Sequence, residues 1–219
     1  MPEYDRGRDY SMSDSSRNVQ LEKIIKQSSW CQRNWNLSKS ISERDIQTLK
    51  YAVTHCPSKQ NRVFYKALFI QDRNIIQAIH DSSDSFTIRW DPHEAVTNTQ
   101  TLANLLVVFV RDRDENTLAR TEKEYDKGVI DGKTKTDEDR SVGIAGAYLA
   151  FAANMLGYRT GFYNILHNKK RVESILNTSN VLLSVGVGFH NEDVNIRQSH
   201  VWPEFTYPSF EKNIQVEDI

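Results

Sequence analysis

The chain has 219 residues, 38% hydrophobic and 26% charged, a globular composition long enough for one sizeable core. A formal net charge of −1 and the lack of a concentrated basic face argue against nucleic acid or an anionic membrane as partner. Two cysteines, Cys31 and Cys56, make no disulfide framework and fit a reducing compartment, so a cytoplasmic location is expected.

In chain order, residues 1–16 are polar and lack the apolar stretch of a signal peptide. They are read as a flexible N-terminal segment ahead of a single domain over 17–219. Leu21, Ile24 and Ile25 share a face and predict an amphipathic helix over 18–30. Ser42 with Asp45 three residues on has the form of a capping box. It opens a helix carrying Ile46, Leu49, Val53 and Cys56, which Pro57 ends. A strand over 67–71, a short helix over 74–80 and a strand over 86–90 are expected next. The apolar run LLVVFV, 105–110, reads as a strand buried on both faces, and 181–187 as another. Between them, residues 111–140 are charged and suit a surface excursion or lid, while 203–219 form a C-terminal extension.

The segment 141–161, SVGIAGAYLAFAANMLGYRTG, predicts a helix whose apolar surface is mostly Gly and Ala. Gly143 and Gly146 each cost about 1 kcal/mol relative to Ala inside a helix, so close neighbours must offset them. Gly143, Ala147 and Ala150 lie on one side, and Ala145, Leu149, Ala152 and Leu156 on another, so contact on more than one face is expected. A membrane span needs about 20 apolar residues. The run 142–156 is shorter and contains Asn154, so a central helix is expected instead.

Several familiar chemistries are excluded by spacing. Asp126, Asp131, Asp137 and Asp139 surround Gly132, but an EF-hand register would put Lys127 at the first ligand position. Gly186 and Gly188 follow a strand without a third glycine or a following helix, so no dinucleotide fingerprint is present. His190 and His200, near Glu192 and Asp193, are read as solvated loop residues rather than metal ligands. Neither G-x-S-x-G nor H-E-x-x-H occurs, so no hydrolytic nucleophile and no metal site is expected.

What remains is a set of polar and glycine positions at helix ends, an arrangement suited to a phosphate-bearing cofactor. Over 29–197 the chain resembles the FMN-dependent nitroreductase family. SSWCQRNW stands where that family has R-x-S-x-R-x-F, and CPSKQN where it has A-P-S-x-x-N, with Arg33, Trp35, Ser42, Pro57, Ser58 and Asn61 in the family's order. Asn98 and Thr101 precede the LLVVFV strand, where the family places an Asn that reaches the flavin ring; LGYRTGF and LLSVGVGF complete the likeness. The chain departs from the pattern at Ser29 and Trp30, which replace arginines, and at Cys31, which replaces a serine. Val63 and Phe64 stand in for Gln and Pro, and Phe189 and His190 for the usual Gly-Tyr-Pro.

The resemblance implies an α+β, nitroreductase-like fold: a central mixed or mainly antiparallel sheet flanked by helices, dimeric about the Gly/Ala helix, with FMN at the subunit interface. It implies Arg33 and Arg197 at the phosphate, flanked by Trp30 and Cys31. Pro57, Ser58, Lys59 and Asn61 would line the ring from one subunit. Asn98, Thr101, Thr160, Gly161 and Phe162 would border its polar edge. NAD(P)H would be co-substrate, and two electrons would pass in a ping-pong cycle to a nitroaromatic, quinone or similar small acceptor, with no catalytic side chain because the flavin carries the hydride chemistry. In this family C-terminal extensions often wrap around the partner subunit. Two alternatives stay open: a catalytically quiet FMN-binding carrier or regulatory protein of the same fold, and an interaction domain with that fold and no flavin.

Overall fold

Two cores face each other across one strand. A computed structural model describes residues 14–82, 86–88, 91–119, 131–164, 168–209 and 212–217. Its main helices are α1 (Asp14–Ser28), α2 (Glu43–Thr54), α3 (Arg73–Ser82), α4 (Asp131–Met155) and α5 (Lys169–Ile175). Its strands are β1 (Tyr65–Ile70), β2 (Phe86–Ile88), β3 (Asp91–Val96), β4 (Leu105–Arg111), β5 (Arg159–Tyr163) and β6 (Val181–Gly188). The main sheet runs β1-β4-β6-β5 with every neighbour antiparallel, and β2 and β3 form a separate hairpin. Because side chains alternate along a strand, Leu105, Val107 and Phe109 of β4 pack with Ile46, Leu49 and Val53 of α2 and Ala145 and Leu149 of α4. Leu106, Val108 and Val110 pack on the other face with Ile76 and Ile79 of α3 and Val172 of α5. Each such apolar side chain fully buried contributes about 1.5–3 kcal/mol, which is why the LLVVFV run sits at the centre.

Helix α2 follows its sequence signals. The Ser42 hydroxyl accepts the Asp45 N–H at 3.1 Å, and His55 closes the helix on the Tyr51 carbonyl before Pro57. Tyr158 donates its hydroxyl to Asp45 at 2.7 Å, tying the start of α2 to the start of β5. That bond is the main cause holding the Asp45 carboxyl below its ordinary range, and burial pushes the Tyr158 phenol up to about 12.

The Gly/Ala helix differs from expectation at both ends. It begins at Asp131 and stops at Met155, ahead of 156–161. Gly157 takes φ 89°, with its N–H on Asn154 O at 3.1 Å and the Tyr158 N–H on Ala153 O at 2.9 Å, the paired bonds of a Schellman stop. Thr160 and Gly161 therefore lie in β5, a strand the sequence pattern did not announce. Of the charged stretch 111–140, residues 131–140 are helical and Glu138 is fully buried, while 120–130 lie outside the described residues. At Gly146 a Cβ would lie 3.0 Å from Leu183 Cδ2 and 3.1 Å from Phe162 Cε1, so close packing offsets its helical cost. A Cβ on Gly143 would meet nothing within 4 Å among the described residues.

Smaller differences follow the same logic. Helix α1 starts at Asp14, taking in the end of the expected lead-in, and Leu21 and Ile25 are exposed rather than packed. The expected strand over 86–90 is β2, with 89–90 outside the described residues; its partner β3 was unexpected. Phe205 and Tyr207 of the C-terminal extension are buried beside Val96 of the same chain. No described helix is long and apolar enough to cross a membrane.

Candidate functional site

The end of the sheet where β4 and β5 begin and β6 stops is crossed by two irregular segments. Residues 31–36 run along β5 and the loop after β6: Gln32 N–H bonds Thr160 O at 2.8 Å, Arg33 N–H bonds Ile196 O at 2.9 Å and Asn36 N–H bonds Phe189 O at 2.9 Å. A 3-10 turn, Thr99–Leu102, lies against them, held by Trp35 Nε1–H on Thr99 O at 2.9 Å and by the Thr99 hydroxyl on Arg33 O at 2.8 Å. Arg73 at the start of α3 donates to Leu102 O and Ala103 O at 3.0 and 2.9 Å. Asn104 joins the two segments through its side chain, donating to Asn36 O and Lys39 O and accepting from Phe189 N–H.

This crossing explains the glycines. On Gly186 a Cβ would stand 2.1 Å from Gln100 O; on Gly188, 2.1 Å from Asn104 Oδ1; on Gly161, 2.6 Å from Gln100 Cβ and from Gln32 O. The G-x-G of β6 and the glycine of β5 admit the chain's own backbone and side chains. For Gly161, the close neighbours the structure provides are Gln100 and Gln32.

Two guanidiniums converge here. Arg33 lies 4.1 Å over the Tyr207 ring and donates Nη1–H to Gln100 Oε1 at 2.6 Å, while its buried Nε has no hydrogen-bond partner among the described residues. Arg197 donates to Tyr207 O at 3.0 Å and to Pro208 O. Its pKa is lowered first by burial and then by the charge of Arg33, with Cys31 opposing. Among the described residues neither arginine has a carboxylate partner. A cationic pair with an unsatisfied buried N–H and no counter-charge fits a phosphate-bearing group.

The remaining expected residues are distributed unevenly. Cys31 is half-buried, its thiol 3.8 Å from Phe162 O, and Trp30 is exposed. Asn98 precedes the 3-10 turn, and its Oδ1 accepts from Gln100 Nε2 at 3.4 Å. Thr101 and Thr160 are buried; the Thr101 hydroxyl donates to Asn98 O at 2.9 Å and Thr160 Oγ1 lies 3.5 Å from Asn154 Nδ2. Phe162 is partly exposed beside α4.

The Pro57–Asn61 loop lies elsewhere. It leads into β1, at the opposite edge of the sheet from β5 and at the end where β4 finishes. Three strand spacings by the length of β4 put that corner roughly 20 Å or more from Arg33. Ser58 Oγ–H donates to Arg62 O at 2.7 Å, Lys59 pairs with Asp137 at 2.5 Å, and Asn61 has φ 56°, a conformation Asn tolerates well. Ser58 and Asn61 line a cleft of ≈ 860 Å³ with Lys50, Cys56, Tyr65 and Phe69. The single chain thus separates the two halves of the expected ring site.

Gln32, Gln100, Asn104 and Tyr207 organise the site without having been anticipated, since none belongs to a recurrent spacing. His190 and His200 are part-buried rather than solvated: His190 Nδ1 lies 3.1 Å from Gln32 Nε2, and His200 Nδ1 accepts Trp35 N–H at 3.4 Å. Burial, then Arg73 and His80, pushes the His200 pKa down, and burial, then Arg159, that of His190. Among the described residues no group of three His, Cys, Asp or Glu is placed to hold a metal.

The fold is that of nitroreductase-family structures. The chain aligns with ydfN of Bacillus subtilis, a protein ascribed to the nitroreductases, at TM-score 0.66 and 10% identity, over 92% of this chain and all of that one. A nitroreductase family protein of Clostridium novyi NT aligns at TM-score 0.60 and 13% identity, covering 81% and 89%. An FMN-dependent nitroreductase of Clostridium difficile R20291 aligns at TM-score 0.54 and 12% identity, covering 74% and 84%. Identities this low establish the fold, while chemistry has to be argued from the site. No protein-family model matches the sequence, and no curated protein matches it.

Proposed function

We propose that the chain is an FMN-dependent NAD(P)H oxidoreductase that acts as a homodimer in the cytoplasm. The observation that carries the reading is the convergence of Arg33 and Arg197, without a carboxylate, at the glycine-lined end of a nitroreductase-like sheet. Bound FMN would supply reversible two-electron chemistry, accepting hydride from NAD(P)H and passing electrons to a nitroaromatic, quinone or similar acceptor. The protein's share is placement. Arg33 and Arg197 hold the phosphate, and Asn98 and Phe162 border the ring.

The distance between the Pro57–Asn61 loop and Arg33 supports a dimeric site, in which the partner brings its own Pro57, Ser58 and Asn61 to the ring. The helix face that would meet the partner is apolar and uncovered: Ile144, Tyr148 (46% exposed) and Met155 (62% exposed) follow helical spacing on α4, with Ile25 and Phe162 beside them. Beyond Tyr207, residues 212–217 alternate exposed apolar side chains, Ile214 and Val216, as a segment would that pairs with the free edge of β1 in a partner.

Titration of the apoprotein with FMN tests the phosphate assignment. A charge-assisted hydrogen bond contributes about 1.5–3 kcal/mol, so Arg33→Ala should weaken FMN roughly 10- to 150-fold. Riboflavin, which lacks the phosphate, should be affected little. Unchanged FMN affinity would remove Arg33 from the site.

A further inference from the structure

A buried carboxamide joins the two parts of this site that one protomer does assemble. Gln100 is 3% exposed and its main chain is fixed on both sides, since its Cβ and carbonyl occupy the space a side chain on Gly161 or Gly186 would need. Its Oε1 accepts from Arg33 Nη1 at 2.6 Å, and its Nε2 donates to Phe162 O at 3.3 Å and Asn98 Oδ1 at 3.4 Å. Chemistry dictates this orientation of the amide: a guanidinium has only donors to offer, and the Phe162 carbonyl at the other end can only accept. A neutral amide is also the acceptor that aims a guanidinium without cancelling its charge. A carboxylate at the same place would form an ion pair and compete with any incoming phosphate.

We propose that Gln100 is the positioning residue of the flavin site: it aims Arg33 at the phosphate while leaving its charge available, and fixes which end of the Asn98 amide faces the ring. This rests on the flavin reading above. Through one side chain the phosphate end and the ring end are held in register, and the four-residue turn that carries Gln100 is clamped by Trp35, Thr99 and Arg73.

The test measures FMN and riboflavin affinity of the full-length apoprotein by flavin fluorescence for wild type, Gln100→Glu and Gln100→Met, with circular dichroism and gel filtration as folding checks. The expected result is a fall of at least tenfold in the FMN-to-riboflavin affinity ratio for Gln100→Glu, and a smaller fall, several-fold, for the neutral Gln100→Met. An unchanged ratio in both variants, or an equal loss of both flavins, overturns the proposal while leaving the flavin reading intact. If Gln100→Glu does not fold, an unchanged ratio in Gln100→Met is sufficient to overturn it. A wild-type chain that binds neither flavin overturns both.

Discussion

Replacing Glu138 by alanine tests whether the first turns of α4 belong to the core. Glu138 is 0% exposed and accepts a two-point fork from Arg111, Nε and Nη2 each at 2.7 Å, and a third bond from Arg113 Nη2 at 3.1 Å. Removing the anion leaves two arginines, with side chains 33% and 17% exposed, beside each other over a cavity. Breaking a buried pair from one side costs about 3–5 kcal/mol. In a domain of 150–250 residues each kcal/mol moves Tm by about 2–4 °C, so a loss near 4 kcal/mol should lower Tm by roughly 8–16 °C. Glu138→Gln, which keeps one acceptor oxygen, should fall between. Lys169→Ala, which removes a surface pair at 3.8 Å, should stay within about 0.5 kcal/mol. Urea unfolding with calorimetry reads both, and a Glu138→Ala protein within about 1 kcal/mol of wild type would refute the reasoning.

Gly186→Ala places a Cβ 2.1 Å from a backbone carbonyl and should cost about 3 kcal/mol or prevent folding, whereas Gly143→Ala meets nothing within 4 Å among the described residues and should leave the fold intact or gain about 1 kcal/mol; similar stabilities for the two would contradict the packing account. His200 has a depressed pKa, so the unfolded chain binds its proton first, near pH 6.5, and stability present above that pH is lost as pH falls below it. Thermal scans from about pH 7.5 down to 5.5 should show falling Tm, less steeply in His200→Asn; a flat profile would count against this. Tyr148→Glu puts a charge on the apolar face of α4 and should shift the protein toward monomer in sedimentation, and an unchanged mass would remove that face from the interface.

Much of the fold could be read from local pattern. LLVVFV and the 181–187 run are β4 and β6 because two packed faces demand uninterrupted apolar residues, and Ser42 to Pro57 behaves as its capping and stop signals require. The missed strand β5 shows where local reading fails. Its register is set by pairing with β6 and by the Gln32 segment, both distant in sequence, although Gly157 carried a usable helix-stop signal. Glu138 sits among acidic neighbours that read as surface, and only the arrival of Arg111 and Arg113 makes it core. At the candidate site, the family resemblance and the needs of a phosphate point to Arg33 and Arg197, and the fold brings these two close to each other. Gln100 and Tyr207 could not be named, because each acts through a contact that only the folded crossing of 31–36, 99–102 and the C-terminal segment creates.

The most direct test is the absorbance spectrum of the protein saturated with FMN and freed of excess, recorded anaerobically before and after NADPH or NADH is added. The account predicts a protein-bound flavin band that bleaches with at least one nicotinamide and returns when a quinone or nitroaromatic is supplied. A protein that retains no flavin, or a bound band that neither nicotinamide bleaches, would contradict it.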